Sequence, residues 1–173
     1  MLKMRFVALR TGTKGFTLVE LIVVIILIGI LAVGILVLLN PAAQFQKAAD
    51  TQRKSDLAQI QKGLETYYID HSRYPLSSSD YKIKCDSGAC SYDWGSAWPP
   101  YIDVLPKDPT TTKWYIYYSD GQTYRIYASL DRGGLDTQTC NLGAKCTSAP
   151  NDKTCGTASD ICNYGVSSPN VSP

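Results

Sequence analysis

The most telling segment of this sequence is FTLVELIVVIILIGILAVGILVLL, residues 16–39. It contains 24 residues and a single charge, at Glu20. A helix rises about 1.5 Å per residue, so a helix of this length would reach about 36 Å, which exceeds the roughly 30 Å hydrocarbon core of a bilayer. We therefore predict a membrane-spanning helix over residues 16–40.

The residues before this segment are positively charged and include no Asp or Glu. The four cations are Lys3, Arg5, Arg10 and Lys14. Because cationic flanks stay on the cytoplasmic side of a membrane, we expect the N-terminus inside and everything after residue 40 on the other side. Without those four, 13 Lys and Arg (17 less 4) remain against 15 Asp and Glu. That balance gives no basic excess for binding nucleic acid, so we expect no nucleic-acid partner.

Two simpler interpretations of the apolar segment remain open. In a cleavable secretory signal, Ala32, Val33 and Gly34 would form the small-x-small cleavage site. Against this, the apolar run continues for five residues beyond Gly34, and Thr17 and Glu20 interrupt its start. In a plain signal anchor, Glu20 would be an unexplained acid near the membrane, where a carboxylate at a helix centre costs about 2.5 to 3.5 kcal/mol. Glu20 is therefore expected to have a partner.

The start of the segment resembles a known processing signal. Residues 14–20, KGFTLVE, followed by the aliphatic run, are similar to the prepilin signal of type IV pilins and type II secretion pseudopilins. The resemblance implies cleavage after Gly15 by a membrane prepilin peptidase, methylation of the new Phe16 amine, and retention of the apolar helix. Glu20 lies one helical turn after Phe16, so its carboxylate can pair with such an amine on a neighbouring subunit. Burying either charge alone is costly, which favours assembly in register.

After residue 40 the pattern changes from uniformly apolar to amphipathic. Apolar residues recur at helical spacing, namely Leu57, Ile60, Leu64 and Tyr67 or Tyr68. The residues assigned to the remaining, solvated faces are Arg53, Lys54, Asp56, Gln59 and Lys62. Pro75 closes the pattern, whereas Pro41 should loosen the helix without ending it. We therefore predict one long helix from about residue 17 to residue 72, with residues 41–74 as its amphipathic half.

A β-hairpin is predicted beyond a long loop. Residues 75–113 carry Ser, Asp, Pro and aromatics without periodicity, so we expect them to form that loop. Aromatic and β-branched residues in 114–118 and 123–128 predict two strands, and Gly121 between them suits a positive φ. The faces expected to cover the helical stripe are Trp114, Ile116 and Tyr118 on the first strand and Tyr124, Ile126 and Ala128 on the second.

Later segments resemble secretion-type major pseudopilins and small pilins. They are residues 49–57 (ADTQRKSDL), 72–75 (SRYP), 98–101 (WPPY) and 105–109 (LPKDP). The resemblance covers residues 14 to about 130 and implies an α+β fold, in which the long N-terminal helix packs on a small antiparallel sheet. In this family a calcium loop follows the second strand, where Asp131 and Asp136 would be the ligands here. The alternative is a solvated turn, since Arg132 adds an unfavourable charge.

Six cysteines follow the membrane segment, namely Cys85, Cys90, Cys140, Cys146, Cys155 and Cys162. An even number in an exported compartment favours disulfides. The short separations favour the pairs Cys85 with Cys90, Cys140 with Cys146, and Cys155 with Cys162. Zinc is the alternative, but pairs of cysteines two residues apart are missing and the single histidine is His71. The tail, residues 135–173, is poor in large aliphatics, so crosslinks are expected to supply its order.

The patterns together predict a structural protein. There is no Gly-x-Ser-x-Gly and no phosphate loop, so we expect no enzyme and no required cofactor; calcium stays one of the two alternatives for the loop at Asp131 and Asp136. The expected segments are a leader (1–15), the membrane and assembly helix (16–40), its amphipathic half (41–74) and an exported region (75–173), which comprises the loop, the hairpin (114–128) and a disulfide-rich tail.

The leading functional hypothesis is a subunit that polymerises through its N-terminal helix into a type IV pilus or pilus-like filament. The alternatives are a pseudopilin of a periplasmic type II secretion pseudopilus and a competence-type pilin that binds DNA. Expected partners are copies of the chain, the prepilin peptidase and methylase, the inner-membrane assembly platform, and membrane lipid before assembly. We expect a single-pass precursor in the cytoplasmic membrane, and then an extracellular or periplasmic filament.

Overall fold

The structure, a computed structural model, describes residues 15–38, 40–88, 90–157 and 159–173. The chain divides into two compact units, and the boundary falls between Pro41 and Ala42. The leader cations Lys3, Arg5, Arg10 and Lys14 lie outside the described residues.

Two helices replace the single long helix predicted from the sequence. Helix α1 is Leu18–Leu38 and helix α2 is Pro41–His71. Between them Asn40 has a φ of 41°, in the left-handed region. Pro41 is the first residue of α2, where its fixed φ suits a helix start and its missing N–H leaves no bond unmade. The prediction that Pro41 loosens one continuous helix is therefore wrong, whereas the predicted end near residue 72 is confirmed.

The strands form two antiparallel sheets. A two-stranded sheet pairs β1 (Ile83–Lys84) with β2 (Ser91–Tyr92). A three-stranded sheet has the order β3-β4-β5, with β3 at Ile116–Ser119, β4 at Tyr124–Ala128 and β5 at Tyr164–Ser167. The predicted hairpin is β3 and β4, and Gly121 in its turn has the expected positive φ, 90°. Strand β5 was not predicted, because the tail that contains it lacks a strand-like run of apolar residues.

One face of the three-stranded sheet is buried with the stripe of α2. Leu57, Ile60 and Leu64 share a cluster with Tyr117 and Ile126. The prediction for β4 is thus confirmed, and the α+β fold with it.

The face predicted for β3 is wrong. Tyr115 and Tyr117 are buried with the helix stripe, whereas Trp114 and Tyr118 are 43% and 40% exposed. Ile116 belongs instead to a second cluster, on the opposite face. The members of that cluster are Ile116, Tyr127, Cys146, Ala149, Cys155 and Cys162. Because the disulfide-bonded tail covers this second face, β3 has no polar face from which its orientation could be deduced.

The loop of residues 75–113 is part of the core. Trp98 and Leu105 are fully buried in the cluster of α2, and Ile102 lies close to Gly63 of the helix. A side chain added at Gly63 would approach Ile102 within 2.6 Å, so the glycine permits this close packing. The segment predicted as an irregular loop thus contributes to the core, and it contains strands β1 and β2, which were not predicted.

Candidate functional site

The N-terminal motif forms a reciprocal helix cap. The backbone N–H and the hydroxyl of Thr17 donate to Oε2 of Glu20, at 3.0 and 2.9 Å. The N–H of Glu20 donates in return to the Thr17 hydroxyl, at 3.2 Å. This is a capping box, in which Thr17 and Glu20 satisfy the otherwise unpaired donors of the first turn. The cap was not predicted, although the Thr-x-x-Glu spacing is typical of a capping box.

The cap leaves half of the Glu20 carboxylate available. Both Thr17 bonds end on Oε2, and within the described ranges Oε1 accepts no hydrogen bond. Phe16 is 83% exposed, and a Cβ built at Gly15 has nothing within 4 Å. The small size of Gly15 is thus not needed for packing against the described part of the chain. Gly15 and Phe16 are therefore not covered by the described residues, and Oε1 of Glu20 can accept one further donor.

The side chains of α1 up to residue 35 are not covered by the described part of the chain. Every described side chain from residue 15 to residue 35 is exposed. Large aliphatic groups such as Leu18 and Ile30 are 73% and 66% exposed. The helix is long and apolar enough to cross a membrane. Such a surface needs lipid or other helices around it, because apolar area is costly in water.

A second notable site lies in the other unit, around a buried arginine. The Arg53 side chain is inaccessible to solvent. Its guanidinium donates two bonds to Asp108, from Nε at 2.8 Å and Nη2 at 3.1 Å. Nη1 donates to Asp50 and to Asp131, each at 2.8 Å, and Nη2 also reaches the Thr110 hydroxyl at 3.3 Å. All five N–H groups of the guanidinium therefore have acceptors.

The assignment of Arg53 to a solvated face is wrong. Arg53 precedes Leu57 by four residues and Ile60 by seven, so it lies on the apolar stripe of α2. Burial alone would lower its pKa, but hydrogen bonds to Asp108 and Asp131 outweigh that effect and raise the pKa of Arg53 above its usual range. The guanidinium thus stays charged at any physiological pH. The helical spacing could have indicated this burial.

Asp50 attaches the loop after β4 to helix α2. Its Oδ1 accepts the Asp131 N–H at 2.8 Å, and its Oδ2 accepts the Arg132 N–H at 2.9 Å. Asp50 is itself buried, and it also binds Arg53. The helix, residues 108–110 and the start of this loop therefore share one hydrogen-bonded network.

The two aspartates predicted as calcium ligands are bound to side-chain cations. Asp131 accepts from Arg53 and from Lys113 Nζ, the latter at 2.5 Å. Burial favours a raised pKa for Asp131, but the bonds from Lys113 and Arg53 lower it. Asp136 accepts from Lys54 at 2.5 Å, which lowers the pKa of Asp136. In the described ranges, no three acidic, His or Cys side chains are grouped so that they could hold a metal.

Three disulfides join the six cysteines. They link Cys85 to Cys90, Cys140 to Cys146, and Cys155 to Cys162. These are the short-range pairs expected from the sequence. His71 stacks on Tyr67 with ring centroids 4.1 Å apart. All six cysteines are in disulfides, so none of them is free to bind zinc.

Two family models match this chain, one in each of its two units. Residues 10–36 match the prokaryotic N-terminal methylation motif, and residues 40–145 match the family described as type II secretion system (T2SS), protein G. The second match ends before β5.

The curated relatives include several proteins named type II secretion system core protein G. The Escherichia coli K12 protein is 30% identical over 89% of this chain and 92% of the relative. The Klebsiella pneumoniae protein is 35% identical over 75% and 92%, and the Aeromonas hydrophila protein 31% over 88% and 93%. No solved structure matches the chain significantly. The resemblance found in the prepilin signal is confirmed, and the chain belongs to the type II secretion system protein G family.

Proposed function

We propose that the chain is the repeating subunit of a type II secretion pseudopilus, polymerised through α1. The observation that carries this proposal is the contrast between the two units. The second unit buries both faces of its three-stranded sheet within itself, whereas the first exposes every described side chain from residue 15 to residue 35. A helix of that kind is stable in lipid and, after leaving lipid, in a bundle of its own copies.

Proteolytic processing prepares α1 to move from lipid into a bundle of its own copies. Cleavage after Gly15 by a prepilin peptidase would create a cationic amine at Phe16, which the same enzyme would methylate. Oε1 of Glu20 is the acceptor that the cap leaves available, so the amine of a neighbouring copy can bind there without breaking the Thr17 bonds. A charged pair in a low-dielectric bundle then fixes the register of neighbouring helices.

The cationic leader gives the orientation that we propose. Lys3, Arg5, Arg10 and Lys14 hold the N-terminus in the cytoplasm. The second unit then lies beyond the membrane, where its three disulfides are stable. The precursor is a single-pass membrane protein, and the inner-membrane platform of the secretion system extracts it into the filament.

Deletion of the gene in its own host tests this function against the pilus alternative. Two readouts are measured in parallel, namely exoprotein in the culture supernatant and filaments sheared from the cell surface. We expect secretion to fail while surface pili persist, and wild-type complementation to restore secretion. Loss of surface pili with intact secretion would support a type IV pilin instead, and intact secretion with intact pili would contradict any filament role.

Overproduction gives the direct test of polymerisation. The chain should then appear in fibres labelled by an antibody against the second unit. Gly15→Val should keep the precursor in the membrane and abolish those fibres. Labelled fibres built from uncleaved Gly15→Val precursor would contradict the proposed route of assembly.

A further inference from the structure

The loop after β4 already has its acceptor atoms bound. Each carboxylate oxygen of Asp131 accepts a side-chain cation, Arg53 on Oδ2 and Lys113 on Oδ1. Asp136 accepts Lys54 on Oδ2 and the Gln138 N–H on Oδ1. The two acids that the family resemblance assigns to calcium therefore have no oxygen without a hydrogen-bond donor.

The carbonyl groups of the same loop are also acceptors. Ser129 O receives Lys113 Nζ at 3.3 Å, and Leu130 O receives the Asn163 amide at 3.0 Å. Gly133 O and Asp136 O both receive the Thr139 hydroxyl, at 2.8 and 2.6 Å. Calcium needs six to eight oxygens around it. Both oxygens of Asp131, both of Asp136 and these four carbonyl oxygens already accept protein donors, so these residues do not fit a calcium ion.

Charge argues in the same direction. Three cationic side chains contact this loop, namely Arg53, Lys54 and Lys113. The Lys113 side chain is only 8% exposed, and Asp160 lies 3.6 Å from its ammonium group. A divalent ion at Asp131 would have to displace two buried cations, Arg53 and Lys113, from the carboxylate oxygens that they already occupy.

We propose that Arg53, Lys54 and Lys113 take the place of calcium in this chain, so that the second unit keeps its structure without a bound metal ion. Arg53 anchors the loop to α2, Lys113 attaches it to the segment before β3, and Lys54 holds its far end at Asp136. The inference is independent of the proposed function, because it concerns the stability of one subunit and is tested on unassembled protein.

The first experiment measures calcium dependence in the full-length chain, purified in detergent micelles. Thermal unfolding of the wild type is followed by near-ultraviolet circular dichroism in millimolar calcium chloride and in excess EGTA. If the protein had a calcium site, free calcium at a hundred times its Kd would raise the unfolding midpoint by more than about 5 °C. We expect no such difference. A midpoint raised by that amount, or stoichiometric binding of radioactive calcium that Asp131→Asn abolishes, would overturn the proposal.

The second experiment tests whether the cations hold the loop. Lys113→Met removes an ammonium group from a mostly buried pair, whereas Lys82→Met is the matched control. The Lys82–Asp93 distance, 2.6 Å, is close to the 2.5 Å of Lys113–Asp131, but the side chains of Lys82 and Asp93 are 31% and 72% exposed. We expect Lys113→Met to lower the midpoint by several degrees more than the control, equally in calcium and EGTA.

A conservative variant covers the case in which Lys113→Met fails to fold. Lys113→Arg retains a cation that can reach Asp131, so it should fold and unfold near the wild-type midpoint. Equal, small losses in Lys113→Met and Lys82→Met would overturn the proposal. So would a Lys113→Arg variant as unstable as Lys113→Met, because the charge would then not be the stabilising feature.

Discussion

Substitution can separate the capping role of Glu20 from the pairing role proposed for it. The cap uses Oε2 to accept the Thr17 N–H and hydroxyl, and it needs an acceptor but not a charge. The proposed pairing with a neighbour's Phe16 amine needs the negative charge. Glu20→Gln therefore keeps a capping acceptor and removes the charge. Thr17→Ala keeps the charge and removes two of the three capping bonds, because only the backbone N–H of residue 17 still donates to Glu20.

The two substitutions should differ greatly in their effect on assembly. Loss of a helix cap costs about 1 kcal/mol. In Glu20→Gln the lost favourable interaction with the helix dipole costs about 0.3 to 1 kcal/mol. A buried amine without its counterion costs about 3 to 5 kcal/mol. Since about 1.4 kcal/mol is a factor of ten, Glu20→Gln should weaken association per subunit by roughly a hundred-fold or more, and Thr17→Ala by about five-fold.

Filament yield at equal levels of mature subunit is the deciding measurement. Sheared filaments are quantified by immunoblot, and mass spectrometry of the membrane fraction verifies that each variant is cleaved and methylated. We expect few or no filaments from Glu20→Gln and a clear yield from Thr17→Ala. Normal filaments from processed Glu20→Gln would refute the pairing argument. An equal failure of Thr17→Ala would instead mean that the cap, and not the charge, is what assembly needs.

Three further predictions concern processing and the folded unit. Gly15→Val should block cleavage, whereas the still small Gly15→Ala should be cleaved, and a mature N-terminus in Gly15→Val would contradict this. Within the described ranges, the Tyr127 hydroxyl is the only buried side-chain polar atom without a partner, so Tyr127→Phe should leave the free energy of unfolding unchanged or raise it. Tyr117→Phe loses the hydrogen bond from the Tyr117 hydroxyl to the Pro75 carbonyl, so it should lower that free energy by about 1 kcal/mol. Urea titrations measure both. The lowered pKa values of Asp131 and Asp136 mean that their stabilisation is complete above about pH 4 and is lost as the pH falls through those values. The thermal midpoint should therefore fall from pH 5 to pH 2, less steeply in Asp131→Asn, and a flat wild-type profile would exclude this linkage.

Local patterns predicted most of the secondary structure. The spacing of Leu57, Ile60 and Leu64 predicted the buried face of α2, and the turn at Gly121 predicted the β3–β4 hairpin. The cysteine spacings predicted the pairs present in the structure. Each of these features depends on residues close together in sequence, where periodicity, turn chemistry and short loops dominate.

Features that depend on distant partners were missed or misassigned. The orientation of β3 depends on the tail, which covers Ile116 from residues 146–162. Strand β5 forms only because β4 offers it a free edge, and its own sequence, YGVS, has little strand signal. Helical spacing places Arg53 on the apolar stripe of α2, but the acceptors that allow its burial, Asp108 and Asp131, lie far along the chain. Such contacts cannot be deduced from the charge or periodicity of a single segment.

The distribution of satisfied charges shows why assembly should depend on α1. In the second unit, all five N–H groups of the buried Arg53 guanidinium have acceptors within the unit, so this arginine needs no hydrogen bond from a neighbouring subunit. In the first unit, Glu20 keeps one carboxylate oxygen unused by any described residue, and the helix around it is uncovered. A partner gains most where desolvation is cheap and one specific bond is still to be made. In the proposed assembly, apolar packing of α1 would supply affinity, and the Glu20 oxygen that no described residue uses would select the register.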